Sequence, residues 1–517
     1  MGRKAPYTLV GSILLLVGAA ACRQTPVQPC STPAGAAQGL SRIPLGASPF
    51  DSAFRAAGAE FAVPPAVLAG VGWAETRWQM IQGGEELPGL APAFGVMALR
   101  GGALERGAAL ARVSVEAARR DPVANIRAAA ALLDAYAREA SIDRTRLAEW
   151  GPVIWRYSGL ERSDARSAYA REVDRTFDRP ALAPLIGTGP CPPTGGGGGA
   201  PDYAPAVWRP SPNFDQRAGD STGVIHMLII HTCESNYVSC WSWLVNPAAQ
   251  ASAHYVVNED GTEISQLVRE ANRAWHIAAL YDCTLNRRHE CWRNGVQSNH
   301  FTVGIEHAGF ASQSSFPPSQ LEASAALACN ITRTHAIPRD WQHIVGHGQL
   351  QPADRTDPGP NWPWISYLHR VQAICGEVVI DDSAQFNDTL VAVATVPAGW
   401  AASDTTPDFY GGGYRWASTQ PAATDAAVFS FRLTAAEPRT IDVRWTSGAN
   451  RSPVATYAVV TSAGDTVAVV SQDQRSGGGT WHTLGTWTFP AGWNRVALER
   501  RGAVGPVVVA DAVRARR

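Results

Sequence analysis

Hydrophobic positions follow three successive rhythms along this chain, and each predicts a different kind of structure. Behind Arg3 and Lys4, residues Leu9 to Ala21 are almost continuously apolar or small. That run, about 13 residues long, is too short to span a bilayer as a mature helix and has the layout of a signal peptide over 1–21. Residues 22–45, rich in Pro, Gly, Ser and Gln, predict a tether. A helical period then begins. Pro64 and Pro65 suit the first turn of a helix, and Val67, Leu68, Val71 and Ala74 recur at helical spacing after them. Asp121-Pro122 is a second start signal with Asp as N-cap, and Ile126, Ala130, Leu133 and Tyr136 line one face beyond it. No strand pattern competes, so residues 46–187 are expected to form an all-α domain.

Residues 188–204 carry Cys-Pro-Pro-Thr and five consecutive glycines, a flexible linker and the clearest boundary in the sequence. The rhythm then becomes mixed over 205–375. Val224–Ile230 is nearly all apolar and predicts a buried strand. Ala253–Val257 and Thr302–Glu306 are further strand candidates, while Leu321, Ala325, Ala328 and Ile331 keep helical spacing. From Glu377 onward short β-rich runs alternate with Gly, Pro and Asp turns, among them Ala427–Leu433, Thr440–Trp445, Thr466–Ser471 and Val507–Ala510. Regularly spaced strands without helical periodicity predict a β-sandwich over 376–517.

Composition changes this picture in three places. A length of 517 residues fits three or four domains, and the apolar share of 45% allows large cores. A net charge of −1 provides no global basic field, so nucleic acid is not expected as a partner. Lysine occurs only at Lys4. The nine cysteines fit export to an oxidising compartment. Ala19-Ala-Ala-Cys22 fits an Ala-x-Ala cleavage site and also resembles a bacterial lipobox, in which Cys22 carries a lipid and anchors the protein in the cell envelope. Setting Cys22 aside leaves eight. Cys30 and Cys191 bracket the helical region, and the expected short-range pairs are Cys233–Cys240 and Cys283–Cys291.

The chemistry concentrates in the middle domain. Eleven of the twelve histidines lie between His226 and His369. The stretch from His343 through His347, Arg355 and Asp357 to Trp362 sets an imidazole and a carboxylate on one loop stiffened by Pro-Gly-Pro. With His231 at the end of the Val224–Ile230 run, His347 and Asp357 make a trio that leaves Zn2+ an open fourth position, the catalytic rather than the closed structural pattern. His343, four residues before His347, is a rival ligand, and Cys233 competes either as a thiolate or as half of a disulfide.

Five segments in order carry a resemblance. They are Ile229-Ile-His231-Thr; Ser252-Ala-His-Tyr255-Val-Val-Asn-Glu-Asp-Gly261; Ala274-Trp-His276; Val303-Gly-Ile-Glu306; and Gly346-His347 through Asp357-Pro-Gly-Pro. Over about residues 205–372 the chain resembles the zinc-dependent N-acetylmuramoyl-L-alanine amidases, relatives of the peptidoglycan recognition proteins and phage T7 lysozyme. The resemblance implies a mixed sheet flanked by helices, with His231, His347 and Asp357 as zinc ligands. Glu306 is then the group that passes a proton from water to the leaving amine. Tyr255 and His276 match positions lining the substrate site. Relatives often carry lysine where Arg355 stands; arginine stays protonated, so its implied role is electrostatic. The implied substrate is peptidoglycan, cut between N-acetylmuramic acid and L-alanine. The alternative is a non-catalytic peptidoglycan receptor with the same fold.

Two weaker resemblances flank this one. Glu75-Thr76, Gly95-Val-Met97-Ala98 and Asn125-Ile126 make the helical domain similar to lysozyme-like lytic transglycosylases, with Glu75 as a second catalytic acid. Ala98 replaces a usual glutamine, and Tyr157-Ser-Gly159 lacks an asparagine. Asp381-Asp382, Phe409-Tyr-Gly-Gly-Gly-Tyr414-Arg-Trp416, Trp481-His-Thr-Leu-Gly485 and Ala510-Asp511-Ala-Val513 resemble the golvesin/xanthan-lyase carbohydrate-binding-like module. Trp445 and Trp487 are expected in its core. The expected whole is a secreted or envelope-anchored multidomain hydrolase: an all-α lysozyme-like domain, an α/β amidase domain and a C-terminal β-sandwich.

Overall fold

A computed structural model describes residues 43–84, 89–177, 200–423 and 425–517. The expected signal peptide, tether, Cys22, Cys30, Cys191 and most of the glycine linker lie outside the described residues. No described helix is long and apolar enough to cross a membrane.

The first region is built from α1 (Asp51–Phe61), α2 (Pro65–Thr76), α3 (Gly101–Ala111), α4 (Val115–Arg120), α5 (Pro122–Glu139), α6 (Gly151–Ser158) and α7 (Ser163–Asp174). Pro65 opens α2 as expected, and Asp121 caps α5 by accepting from the Ala124 amide at 2.7 Å. One departure from the all-α expectation is a short antiparallel pair, β1 (Ala93–Phe94) with β2 (Leu99–Arg100). Two residues per strand are too few to leave a period-2 signature.

The second region holds β3 (Val207–Trp208), β4 (Phe214–Gln216), β5 (Met227–Thr232), α8 (Tyr237–Leu244), β6 (Tyr255–Val257), β7 (Ile264–Gln266), β8 (Asn272–Ala274), β9 (Thr302–His307), α9 (Pro318–Thr334), β10 (Ile344–Gly346), α10 (His347–Leu350) and α11 (Trp364–Ile374). Its main sheet runs β10-β5-β9-β6-β7-β3. β10, β5, β9 and β6 are mutually parallel, and β7 turns antiparallel, so the sheet is mixed. β5 and β9 are buried at every position because both faces are covered. Leu228, Ile230, Val303 and Ile305 point into a core closed by α9 and α11. Met227, Ile229 and Phe301 point the other way, onto Ile277, Tyr281 and Leu350. β5 starts at Met227, three residues later than the apolar run suggested, and carries His231 within it.

Three disulfides are present among the described residues. Cys233–Cys240 and Cys283–Cys291 are the expected short-range pairs, and Cys329–Cys375 ties α9 to the end of α11.

The two regions are not independent. Val238, Trp241 and Leu244 of α8 join Phe54, Leu68, Ile126, Trp150 and Tyr169 in one continuous core. An octapeptide as apolar as α8 would leave a greasy face in water, and each large side chain buried there contributes about 1.5–3 kcal/mol. Arg77, in the left-handed turn closing α2, adds ion pairs to Glu259 at 3.3 Å and Glu172 at 3.1 Å.

The C-terminal region is β-rich. Glu377–Asp381, Ala512–Arg516, Glu437–Arg444 and His482–Phe489 form one sheet. Ala392–Thr395, Ala427–Leu433, Gly492–Glu499, Ala455–Val460 and Thr466–Gln472 form a second. A three-stranded sheet of Ala401–Ser403, Tyr414–Ser418 and Val507–Ala510 completes it. Trp445 is buried in the core and Trp487 packs partly buried against it, whereas Trp493 is exposed.

Candidate active site

Parallel strands deliver side chains from distant sequence to one end of a sheet, and ligands in open α/β sheets gather at the carboxyl ends. Here three neighbouring strands do so. His231 ends the apolar part of β5 and lies in register with Glu306 of β9. Ile230 is in register with Gly346 of β10, so His347, the next residue, stands beside His231. The loop after α10 then returns Asp357 to the same point; the Asp357 carbonyl accepts from the Gly348 amide at 2.9 Å.

The result is a tight trio. His231 Nδ1 is 3.1 Å from His347 Nδ1 and 3.0 Å from Asp357 Oδ2. His347 Nδ1 is 3.1 Å from Asp357 Oδ1. All three side chains are buried. The other ring nitrogens are engaged elsewhere. His231 Nε2 faces His276 Nδ1 at 3.0 Å, and His347 Nε2 faces Gln351 Oε1 at 3.2 Å. A ring that donates from Nε2 presents a lone pair at Nδ1. Burial presses His231 toward the neutral form, its pKa brought down to about 4. Burial also opposes charge on Asp357, yet the two imidazoles beside it hold its carboxyl well below the usual carboxylate range. Two imidazole Nδ1 atoms and a carboxylate converge here at about hydrogen-bond distance, an arrangement satisfied by a shared proton or by a cation held between them. Two nitrogens and an oxygen are also the donor set that suits Zn2+. The residues therefore fit the metal.

Supporting groups hold this geometry. His276 Nε2 meets Thr302 Oγ1 at 3.0 Å, and the Asn299 side chain accepts from the His276 and Ile277 amides. The His276 ring packs against Gly304, where a Cβ would come within 2.6 Å of the ring. His307 Nδ1 donates to the His231 carbonyl at 2.9 Å. Asn299, Thr302 and Gln351 have no signal in the sequence that marks them for this role, because a lone amide or hydroxyl carries no spacing pattern.

The trio, Glu306, His276 and Arg355 line a cleft of about 350 Å³. Arg355 donates from Nη1 to the Asp354 carbonyl at 2.8 Å. The Arg273–Asp215 ion pair and Trp275 form the opposite wall. Tyr255 stands apart from the cleft. Strand alternation turns it to the face that Ile305 occupies, where it is fully buried and its hydroxyl donates to Glu270 at 2.5 Å. The two rivals also part from the trio: Cys233 is in its disulfide, and His343 lies before β10, at the other end of the strand.

A model of the family described as N-acetylmuramoyl-L-alanine amidase matches residues 221–360, which contain the whole trio and Glu306. The N-acetylmuramoyl-L-alanine amidase A of Achromobacter lyticus is 31% identical over 193 residues, spanning 33% of this chain and 96% of that protein. The chain belongs to the N-acetylmuramoyl-L-alanine amidase family. The amidase AmiD of Escherichia coli (strain K12) is 30% identical over 155 residues, 27% of this chain and 51% of that protein. A second family model, the golvesin C-terminal domain, matches residues 383–517. The xanthan lyase of Bacillus sp. (strain GL1) is 27% identical over 227 residues, 42% of this chain but only 22% of that enzyme.

Glu75 belongs to a different place. It lies in the last turn of α2 as a buried carboxylate, with Oε1 accepting from Tyr169 OH at 2.5 Å and Oε2 from Asn236 Nδ2 at 2.9 Å. Asn236 at the same time caps α8. Burial raises the Glu75 pKa, against the hydrogen bonds from Tyr169 and Asn236. The carboxylate borders a cavity of about 400 Å³ with Ala98, Tyr157, Arg162 and Trp243, walled by both the helical region and α8.

Proposed function

We propose that the cleft hydrolyses the amide between N-acetylmuramic acid and L-alanine of peptidoglycan, with one Zn2+ held by His231, His347 and Asp357. The observation that carries this reading is the convergence of the His231 and His347 Nδ1 atoms on Asp357, with Glu306 on the adjoining strand in register. When bound, Zn2+ supplies Lewis acidity to the scissile carbonyl and to the attacking water. Glu306 accepts the proton of that water on its carboxylate and returns it to the departing amine nitrogen of L-alanine. The Arg355 guanidinium places fixed positive charge beside the oxygen that becomes negative in the tetrahedral intermediate. His276 orients His231 and excludes water behind it. A receptor role without catalysis is disfavoured by the presence of both the three ligands and Glu306.

The test is digestion of purified sacculi with the full chain. Release of new N-terminal L-alanine is expected, abolished by a chelator and restored by adding Zn2+ back. Release that survives full metal removal rejects the mechanism.

A second glycan-cleaving activity in the helical region is supported by one observation, the buried Glu75 carboxylate bordering its own cavity. Burial shifts this carboxyl toward the protonated form, the direction a donor to a glycosidic oxygen needs. Glu75→Gln is expected to remove anhydro-sugar ends from the digest while L-alanine release continues. Equal anhydro-sugar yield from this variant and the parent discards the activity. Export with a lipid on Cys22 completes the proposal, supported by the basic and apolar N-terminal pattern. It places the enzyme on the envelope beside its polymer, with exposed Trp493 of the C-terminal region available to stack on sugar.

A further inference from the structure

Two strands of the main sheet carry a histidine at each end. β5 holds His231 near its carboxyl end, and His226 comes immediately before its first residue. β10 is preceded by His343 and followed by His347. The strands are parallel, with Leu228 in register with Ile344, so the two leading histidines are neighbours just as the two trailing ones are. The rings of His226 and His343 meet edge-on with centroids 4.9 Å apart. At about 3.3 Å per strand residue this pair lies roughly 15 Å from the catalytic trio.

Glu290 joins them. Its Oε1 lies 2.6 Å from His226 Nδ1, and the ligand atoms of His226, Glu290 and His343 all fall within 4.8 Å of one another. His226 Nδ1 is buried and makes no aligned hydrogen bond despite that closeness. His343 shows a further mark of a metal ligand. Its Nδ1 is held at 2.5 Å by Asp340 Oδ1, which also accepts from the Gln342 and His343 amides. A carboxylate on one ring nitrogen fixes the tautomer and leaves Nε2 as the ligating atom. Glu290 is fixed in turn by the adjoining Cys283–Cys291 disulfide and by Arg293 Nε at 2.8 Å. The side chains of His226, Glu290 and His343 are 30%, 13% and 8% exposed, which opens one side of the cluster to water as an entry path.

We propose that His226, Glu290 and His343 form a second divalent-metal site. Two imidazoles and one carboxylate select an ion of the zinc class over calcium or magnesium. The ion clamps the disulfide-closed segment 283–291 onto the amino-terminal ends of β5 and β10. It does no chemistry on the amide, which is cut at the far end of the same strands.

The experiment is a Zn2+ titration of the metal-stripped full chain against a chromophoric chelator. It compares the parent, a trio variant (H231A/H347A/D357A), and the trio variant carrying H226Q/H343Q. The trio variant is expected to bind one equivalent, and the five-fold variant none. The trio variant reports the new site by itself, so its result does not depend on whether the catalytic trio takes metal. A fourth chain, the trio variant with Glu290→Gln, keeps side-chain volume and guards against loss through misfolding. It is expected to stay folded by circular dichroism and to weaken Zn2+ binding by about tenfold or more. A trio variant that binds no Zn2+, or binding unchanged by both H226Q/H343Q and Glu290→Gln, overturns the site.

Discussion

At His231 the decision between ligand and ordinary core histidine comes from its neighbours. Both ring nitrogens face other side chains, Nε2 toward His276 and Nδ1 toward His347 and Asp357. Glu306, across the strand pairing, is the residue whose loss separates chemistry from metal binding. Glu306→Gln is expected to lower kcat by about 10²–10⁴, with Zn2+ content by elemental analysis unchanged. A parallel fall in metal content would assign Glu306 to holding the ion instead. The pair His343 and His347 shows what spacing alone leaves open. Four residues apart, they would share one face of a helix. The segment between them is the strand Ile344–Gly346, which carries them to opposite ends, about 13 Å apart at strand rise. Tyr255 shows the same limit: its motif was legible, but the face of β6 it occupies depends on which side of the sheet is core.

Among elements, β9 carries the most information per residue. Val303 and Ile305 fill the core, while Thr302, Gly304 and Glu306 face the site, so the segment Val303-Gly-Ile-Glu306 alternates as a strand with two buried faces. Gly304 is required by proximity and not by backbone conformation. A Cβ there would sit 2.6 Å from the His276 ring. Gly304→Ala is expected to displace that imidazole and cost about 10²-fold in amide hydrolysis, with little change in the midpoint of thermal unfolding. Activity equal to the parent would mean that the His276 position is not needed. The helices were legible from caps and period because those signals are local; the β1–β2 pair was not, because its two-residue strands have no period.

For the whole molecule the telling residue is Glu234. It is almost fully buried, accepts from the Ala311 amide at 2.5 Å, and reaches across to the helical region, where the Gly84 amide donates to it at 2.9 Å. Burial raises its pKa to about 7, with the charge of Asp357 adding to the rise and backbone hydrogen bonds and Arg100 opposing it. A carboxyl whose folded pKa exceeds its unfolded one stabilises the fold fully below the unfolded value of about 4.5, and that stability is lost as pH climbs through about 7. The full effect is on the order of 3 kcal/mol. Thermal midpoints are therefore expected to fall between pH 5 and pH 8, and Glu234→Gln is expected to flatten that slope. A slope identical in parent and variant would place the pH dependence elsewhere. The shared core of α8 with the helical region has the same origin as this link. The glycine-rich linker suggested separate bodies, but a linker sequence does not report which apolar faces meet across it.

By itself the sequence determined the features set by neighbours along the chain: the three rhythms and the helix starts at Pro65 and Pro122. It offered the two short cysteine pairs and the candidates His231, His347 and Asp357, with His343 and Cys233 as rivals. Only the tertiary structure decided what depends on pairing across the chain. It placed His231 beside His347 and in register with Glu306, turned Tyr255 into the core, joined Glu75 to Asn236, and set His343 beside His226 and Glu290. Strand register and the choice of buried face are settled by which apolar surfaces close against each other, and that contest is between segments far apart in the chain.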